Sequence, residues 1–160
     1  MKRRSPTILP LALALALAAA FAGAACAAEY RTTSEVPTLL YDAPSLKARP
    51  LFVYGRDVPL EVLVTVEGWT KIRDVGGGFG WIPNKNLAEK RMLLVRVAMA
   101  DVRANPDDAA PLVFRAEQNV LLDLAESAAS PATTAAPGWV KVRHRDGQTG
   151  YVRVNQVFGL

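Results

Sequence analysis

Apolar and polar positions alternate along most of this chain, in short runs broken by turn residues. Thr38-Leu39-Leu40-Tyr41 is one such run, ended by Asp42-Ala43-Pro44. Proline after a small residue favours a turn and stops strand pairing. Leu51-Phe52-Val53-Tyr54 follows, with Gly55-Arg56-Asp57 as its turn. Leu60 to Val64 stands behind Pro59, alternates and is β-branched, and Glu67-Gly68 makes the next turn. Trp69 to Arg73 alternates apolar and polar side chains, which predicts a strand with one face on a core and one in solvent. Asp74 to Gly78 reads as a flexible loop, and Phe79 to Ile82 as the return strand, closed by Pro83-Asn84. Residues 84–91 carry four charges, so a short helical turn or solvated linker is expected there.

The pattern then starts again. Asp101 to Pro106 matches the strand and turn around Tyr41 to Pro44, and Asn119 to Leu124 matches the strand after Pro59. Gly68-Trp69-Thr70-Lys71-Ile72-Arg73 returns as Gly138-Trp139-Val140-Lys141-Val142-Arg143, and Gly80-Trp81-Ile82 as Gly150-Tyr151-Val152. Met92 to Val97 is a further β run that the two copies could share. The Gly–Trp pair recurs after 70 residues, whereas Pro50-Leu51 recurs as Pro111-Leu112 after 61. The difference places an insertion at 127–136, a small, uncharged, Pro-containing segment with nothing to bury. His144-Arg145-Asp146-Gly147 is a hairpin turn, with Asp-Gly a strong short-loop signal. An internal repeat fixes architecture ahead of any single residue. Many short strands at regular spacing, with no long amphipathic helix, predict an all-β chain of small barrels.

Ahead of the repeat stands a leader. Met1-Lys2-Arg3-Arg4 is basic, Ile8 to Phe21 is rich in Leu and Ala, and Ala22 to Ala28 is small-residue-rich with an Ala-x-Ala site at Ala25-Cys26-Ala27. This is the pattern of a secretory signal peptide over 1–28, cut after Ala27 or Ala28, which predicts a periplasmic protein with no membrane span after cleavage. A retained membrane anchor is the competing reading. Lipidation at Cys26 is a minority alternative, because Gly23 stands where a lipoprotein signal wants a large aliphatic residue. The chain has 19 basic and 15 acidic residues; without Lys2, Arg3 and Arg4 the balance is 16 against 15, or +1. So small an excess gives no basic stripe for nucleic acid. Cys26 is the only cysteine, so the exported domain must rely on its core and not on disulfides.

At the two hairpins the chain resembles bacterial SH3-like (SH3b) proteins of the exported, two-module type. A Val-Arg element before a turn proline usually opens such modules. The second copy keeps it as Val102-Arg103-Ala104-Asn105-Pro106, and the first has Leu40-Tyr41-Asp42-Ala43-Pro44 instead. The resemblance implies two tandem SH3-like β-barrels packed together, over 35–88 and 92–160. It also implies a cell-wall peptide, peptidoglycan or an envelope protein as partner, since such modules often serve as targeting or scaffold parts. A pure protein–protein adaptor is the alternative.

The candidate ligand-binding residues are Tyr41, Tyr54, Trp69 and Trp139. The tryptophans start the hairpin strands and could stack on a sugar or a peptide. Ile72 and Val142 lie on the opposite strand face, and that aliphatic set is expected to be the core. Trp81 and Tyr151, beside Gly80 and Gly150, are expected to pack inward. Tyr41 and Tyr54 belong to the first copy alone, where the second is read as having Val102 and Arg115, and such asymmetry is where a groove would specialise. Lys141, Arg143, His144, Arg145 and Arg153 are read as a solvated basic cluster around Asp146. No cofactor, metal or catalysis is expected. One histidine without a cysteine cannot build a zinc site, and the scattered carboxylates lack calcium spacing. There is no nucleophile elbow, and Gly76-Gly77-Gly78 lacks the Lys-Ser/Thr of a phosphate loop.

Overall fold

The computed structural model describes residues 28–34, 37–125 and 137–160. The expected signal peptide, save Ala28, and the expected insertion at 127–136 lie outside the described residues. Each half of the chain forms one seven-stranded antiparallel sheet. The first holds β1 (Glu29–Thr33), β2 (Thr38–Tyr41), β3 (Pro50–Tyr54), β4 (Pro59–Val66), β5 (Trp69–Arg73), β6 (Phe79–Pro83) and β7 (Leu87–Ala88). The second holds β8 (Met92–Val95), β9 (Met99–Arg103), β10 (Leu112–Glu117), β11 (Leu121–Leu124), β12 (Trp139–Arg143), β13 (Thr149–Arg153) and β14 (Val157–Phe158). The strand orders, β3-β2-β6-β5-β4-β1-β7 and β10-β9-β13-β12-β11-β8-β14, are the same order advanced by seven. The repeat seen in the sequence is therefore a repeat of topology.

The first sheet opens at Glu29, ahead of the Glu35 at which the sequence repeat becomes visible, and β8 is the counterpart of β1. β1 escapes hydropathy because its inward residues are threonines. Thr33 is fully buried; its hydroxyl donates to Gly55 O at 2.7 Å and accepts from Val58 N at 2.9 Å. Thr32 donates to Lys90 O. A buried hydroxyl that finds its partners carries little penalty.

Within each module the hairpin alternation sets the core. Leu40, Leu60, Ile72 and Ile82 close the first core together with Tyr54, and Val102, Leu122, Val142 and Val152 anchor the second. Ile72 pairs with Gly80 and Val142 with Gly150. A Cβ on Gly80 would stand 2.7 Å from Tyr41 O, and one on Gly150 would stand 2.7 Å from Arg103 O. Both glycines thus occupy inward positions where only hydrogen fits. Their aromatic neighbours, Trp81 and Tyr151, must then point outward by the two-residue period of a strand. Both are half-buried on the outer face, against the expectation that they pack inward.

The Asp74–Gly78 loop is a tight turn, not a flexible one. Asp74 N donates to Gly78 O at 2.9 Å and Gly77 N to Asp74 O at 3.0 Å, with Gly77 at φ +85°. The same turn recurs at His144–Gln148 with Gly147 at φ +89°. The linker forms the expected short turn, Asn84–Asn86, and then pairs as β7. β3 is an edge strand, paired only with β2 among the described strands, and Leu51, Phe52 and Val53 on it are all exposed.

The modules meet through β1, β14 and the residues that join the two sheets. The Tyr30 ring stands edge-on to Phe158 at 5.3 Å, and Arg91 Nη2 donates to Gly159 O at 3.1 Å. Lys90 Nζ lies 3.3 Å from Asp57 of the first module and 3.4 Å from Asp123 of the second.

Candidate functional site

The outer face of the β5–β6 hairpin gathers aromatic side chains in the first module. Trp69 and Lys71 alternate outward on β5, and Phe79 and Trp81 on β6, with Lys71 paired to Trp81. β2 joins the face through Tyr41, which pairs with Trp81 and sets its ring edge-on to Trp69 at 5.6 Å and 88°. Lys71 Nζ sits 5.2 Å from the Phe79 ring centroid and 6.0 Å from that of Trp81. It forms no ion pair among the described residues. Phe79 is 61% exposed, while Trp69 and Trp81 are half-buried. The face thus offers flat apolar area with one unpaired cation in its middle. Aromatic faces of this kind stack on planar or sugar-like groups and support a neighbouring ammonium.

The second module repeats the framework and changes the surface. Trp139 takes the place of Trp69, and Tyr151 that of Trp81. The register aligns Tyr41 with Arg103, not Val102, since Tyr41 pairs with Trp81 and Arg103 with Tyr151. Leu39 and Val53, paired across β2 and β3, become Asp101 and Arg115. Pro83, opposite Trp69, becomes Arg153, opposite Trp139. The Arg153 guanidinium lies 4.3 Å from the Trp139 ring centroid and is held by Asp108. Trp139 is buried as a result.

The four expected ligand-binding residues therefore separate. Tyr41 and Trp69 lie together on one module, with Trp69 half-buried and the Tyr41 ring buried edge-on beside it. Trp139 is on the other sheet, under Arg153. Tyr54 is a core residue at 5% exposure. Its hydroxyl donates to Asp74 Oδ2 at 2.8 Å, and burial, then that hydrogen bond, push its pKa far above the usual tyrosine value. Its counterpart is Ala116, not Arg115, because Tyr54 pairs with Thr38 and Ala116 with Ala100. Phe114 instead packs on His144 at 5.6 Å in the second module. The basic cluster also divides. His144 and Arg145 stay by Asp146, while Arg153 sits at the other end of the hairpin. Sequence reading missed Phe79, Trp81 and Lys71 as site residues. The signal that could have found them was the inward glycine at 80.

The model of the bacterial SH3 domain family matches residues 34–89 and 96–159. The chain belongs to that family. The two matched segments hold all but the first strand of each sheet, β1 and β8, so each SH3 match falls within one topological repeat. Among solved structures, NlpC2 from Trichomonas vaginalis is similar at 17% identity and a TM-score of 0.34, over 81% of this chain and 46% of that one. An NLPC/P60 family protein from Bacillus cereus is similar at 15% identity and a TM-score of 0.36, over 81% and 56%. The chain spans about half the length of these structures. No curated protein matches the sequence. Among the described residues no helix is long and apolar enough to cross a membrane.

Proposed function

We propose that this is a non-enzymatic periplasmic protein that binds cell-wall peptide or peptidoglycan through the outer face of its first SH3 module. The observation that carries the reading is the cluster of Trp69, Tyr41, Trp81 and Phe79 around the unpaired Lys71. A largely exposed phenylalanine and half-buried indoles make contact area that the fold itself does not use. Lys71 gives the face a point of attraction for an anionic group on the polymer. Export follows from the leader at 1–28.

A second reading is an envelope adaptor without glycan affinity. It is favoured by the exposed Leu51-Phe52-Val53 edge, since a free strand edge can accept an extended peptide from another protein.

Sedimentation of the purified protein with peptidoglycan sacculi separates the two. Under the first reading the protein pellets with sacculi at low and at moderate salt, and Phe79→Ala lowers the pelleted fraction while the circular dichroism spectrum stays unchanged. Protein that stays in the supernatant, or leaves the pellet as salt rises, sinks the wall-binding reading and favours the adaptor.

A further inference from the structure

The second module carries a depression of about 330 Å3 on the face where the first carries its aromatic cluster. Its walls include Trp139, Met99, Gln156 and the guanidiniums of Arg103, Arg115 and Arg153. Three guanidiniums face two carboxylates there. Arg103 and Arg115 share Asp101, each at 3.1 Å. Arg103 is further fixed by donating to Ala110 O at 2.8 Å.

Arg153 holds Asp108 with two donors: Nε donates to Oδ1 at 3.2 Å, and Nη2 to Oδ2. This is the bidentate fork by which arginine receives a carboxylate. Its plane is set by the Trp139 ring beneath it. Asp108 stands on an exposed turn and is itself 70% exposed, and so open an ion pair contributes little to stability. The carboxylate bound by Arg153 is thus a weakly held one from the protein's own chain. Arg103 and Arg115 bring two guanidiniums to one carboxylate. Arg115 is 63% exposed beside the depression.

We infer that this depression is a binding site for a peptide ending in a free carboxylate, and that Asp108 occupies the carboxylate position until such a peptide displaces it. The incoming carboxylate takes the fork of Arg153 with Arg115 beside it. An apolar terminal side chain rests against Met99. The site is independent of the aromatic face on the first module and does not rest on the function proposed for it.

The test is calorimetric titration of the purified protein with acetylated dialanine as the free acid, and with the same dipeptide as its C-terminal amide. The acid is expected to bind about tenfold or more tightly than the amide, as a charge-assisted fork requires. Asp108→Asn removes the internal competitor and is expected to tighten acid binding several-fold. Arg115→Gln, at an exposed position that leaves the fold intact by circular dichroism, is expected to weaken it by a similar factor. Equal binding of acid and amide, no binding of the acid even in the Asp108→Asn protein, or weaker binding in that variant would each overturn the proposal.

Discussion

Gly80 sits where the second strand of the hairpin crosses β2, and its missing side chain is a packing requirement. An added methyl would meet Tyr41 O and the Leu40 side chain, both under 3 Å away. Gly80→Ala is therefore expected to cost about 1–3 kcal/mol, the usual range for overfilling a packed core. Gly55 has open space around its Cβ position and no positive φ. Gly55→Ala should be neutral or stabilise by a few tenths of a kcal/mol, because alanine restricts the unfolded chain. Urea unfolding of the pair reads the contrast. Tyr54 gives a second prediction. Its pKa is raised in the folded state by burial and by the Asp74 hydrogen bond, so folding disfavours the phenolate. The sign follows: the stabilisation is complete below the ordinary tyrosine value near 10 and is lost as pH rises above it. Unfolding midpoints should fall above that pH, and Tyr54→Phe should flatten the fall while lowering stability at neutral pH.

At the scale of elements, the first β5–β6 turn is ordered by one carboxylate. Asp74 Oδ1 accepts from Gly76 N at 2.9 Å and Gly78 N at 2.8 Å, while Oδ2 accepts from Tyr54. Asp74→Ala removes three hydrogen bonds to a charged acceptor and is expected to destabilise the first module by about 2 kcal/mol. Amide exchange at Gly76 and Gly78 should rise well beyond that of the His144–Gln148 turn, which uses no such carboxylate. This turn shows why parts of the fold could not be read in advance. The glycine run suggested freedom, and the carboxylate that removes it acts through space. The hairpins were legible because duplication repeats both their glycines and their alternation. β1 was not, because Thr32 and Thr33 reach the interior as satisfied hydroxyls and leave no apolar trace. The site was half legible. Trp69 and Tyr41 stood out as aromatics, but the outward direction of Trp81 depends on Gly80 being inward. The cover over Trp139 depends on the register that sets Arg153 opposite it.

At the scale of the whole molecule, one framework carries two surfaces. The first module leaves its indoles accessible around a lysine, and the second covers its tryptophan with an arginine. Lys90, shared by Asp57 and Asp123, and the Tyr30–Phe158 contact join the modules. The edge strand β3 has a bearing on how the protein behaves in a crowded solution. Three consecutive apolar side chains project from a strand whose outer hydrogen-bonding edge has no neighbour in the sheet, and such edges template association between molecules. Arg49 and Arg56 flank it as charged gatekeepers. Phe52→Lys places a charge at the centre of that edge at a position 56% exposed. The substitution is expected to leave the melting temperature nearly unchanged and to raise the concentration at which light scattering first reports aggregates. Colloidal stability is thus governed by the exposed positions of a strand whose core contribution is Tyr54, and it can be tuned without touching the aromatic face of the first module or the arginine-lined depression of the second.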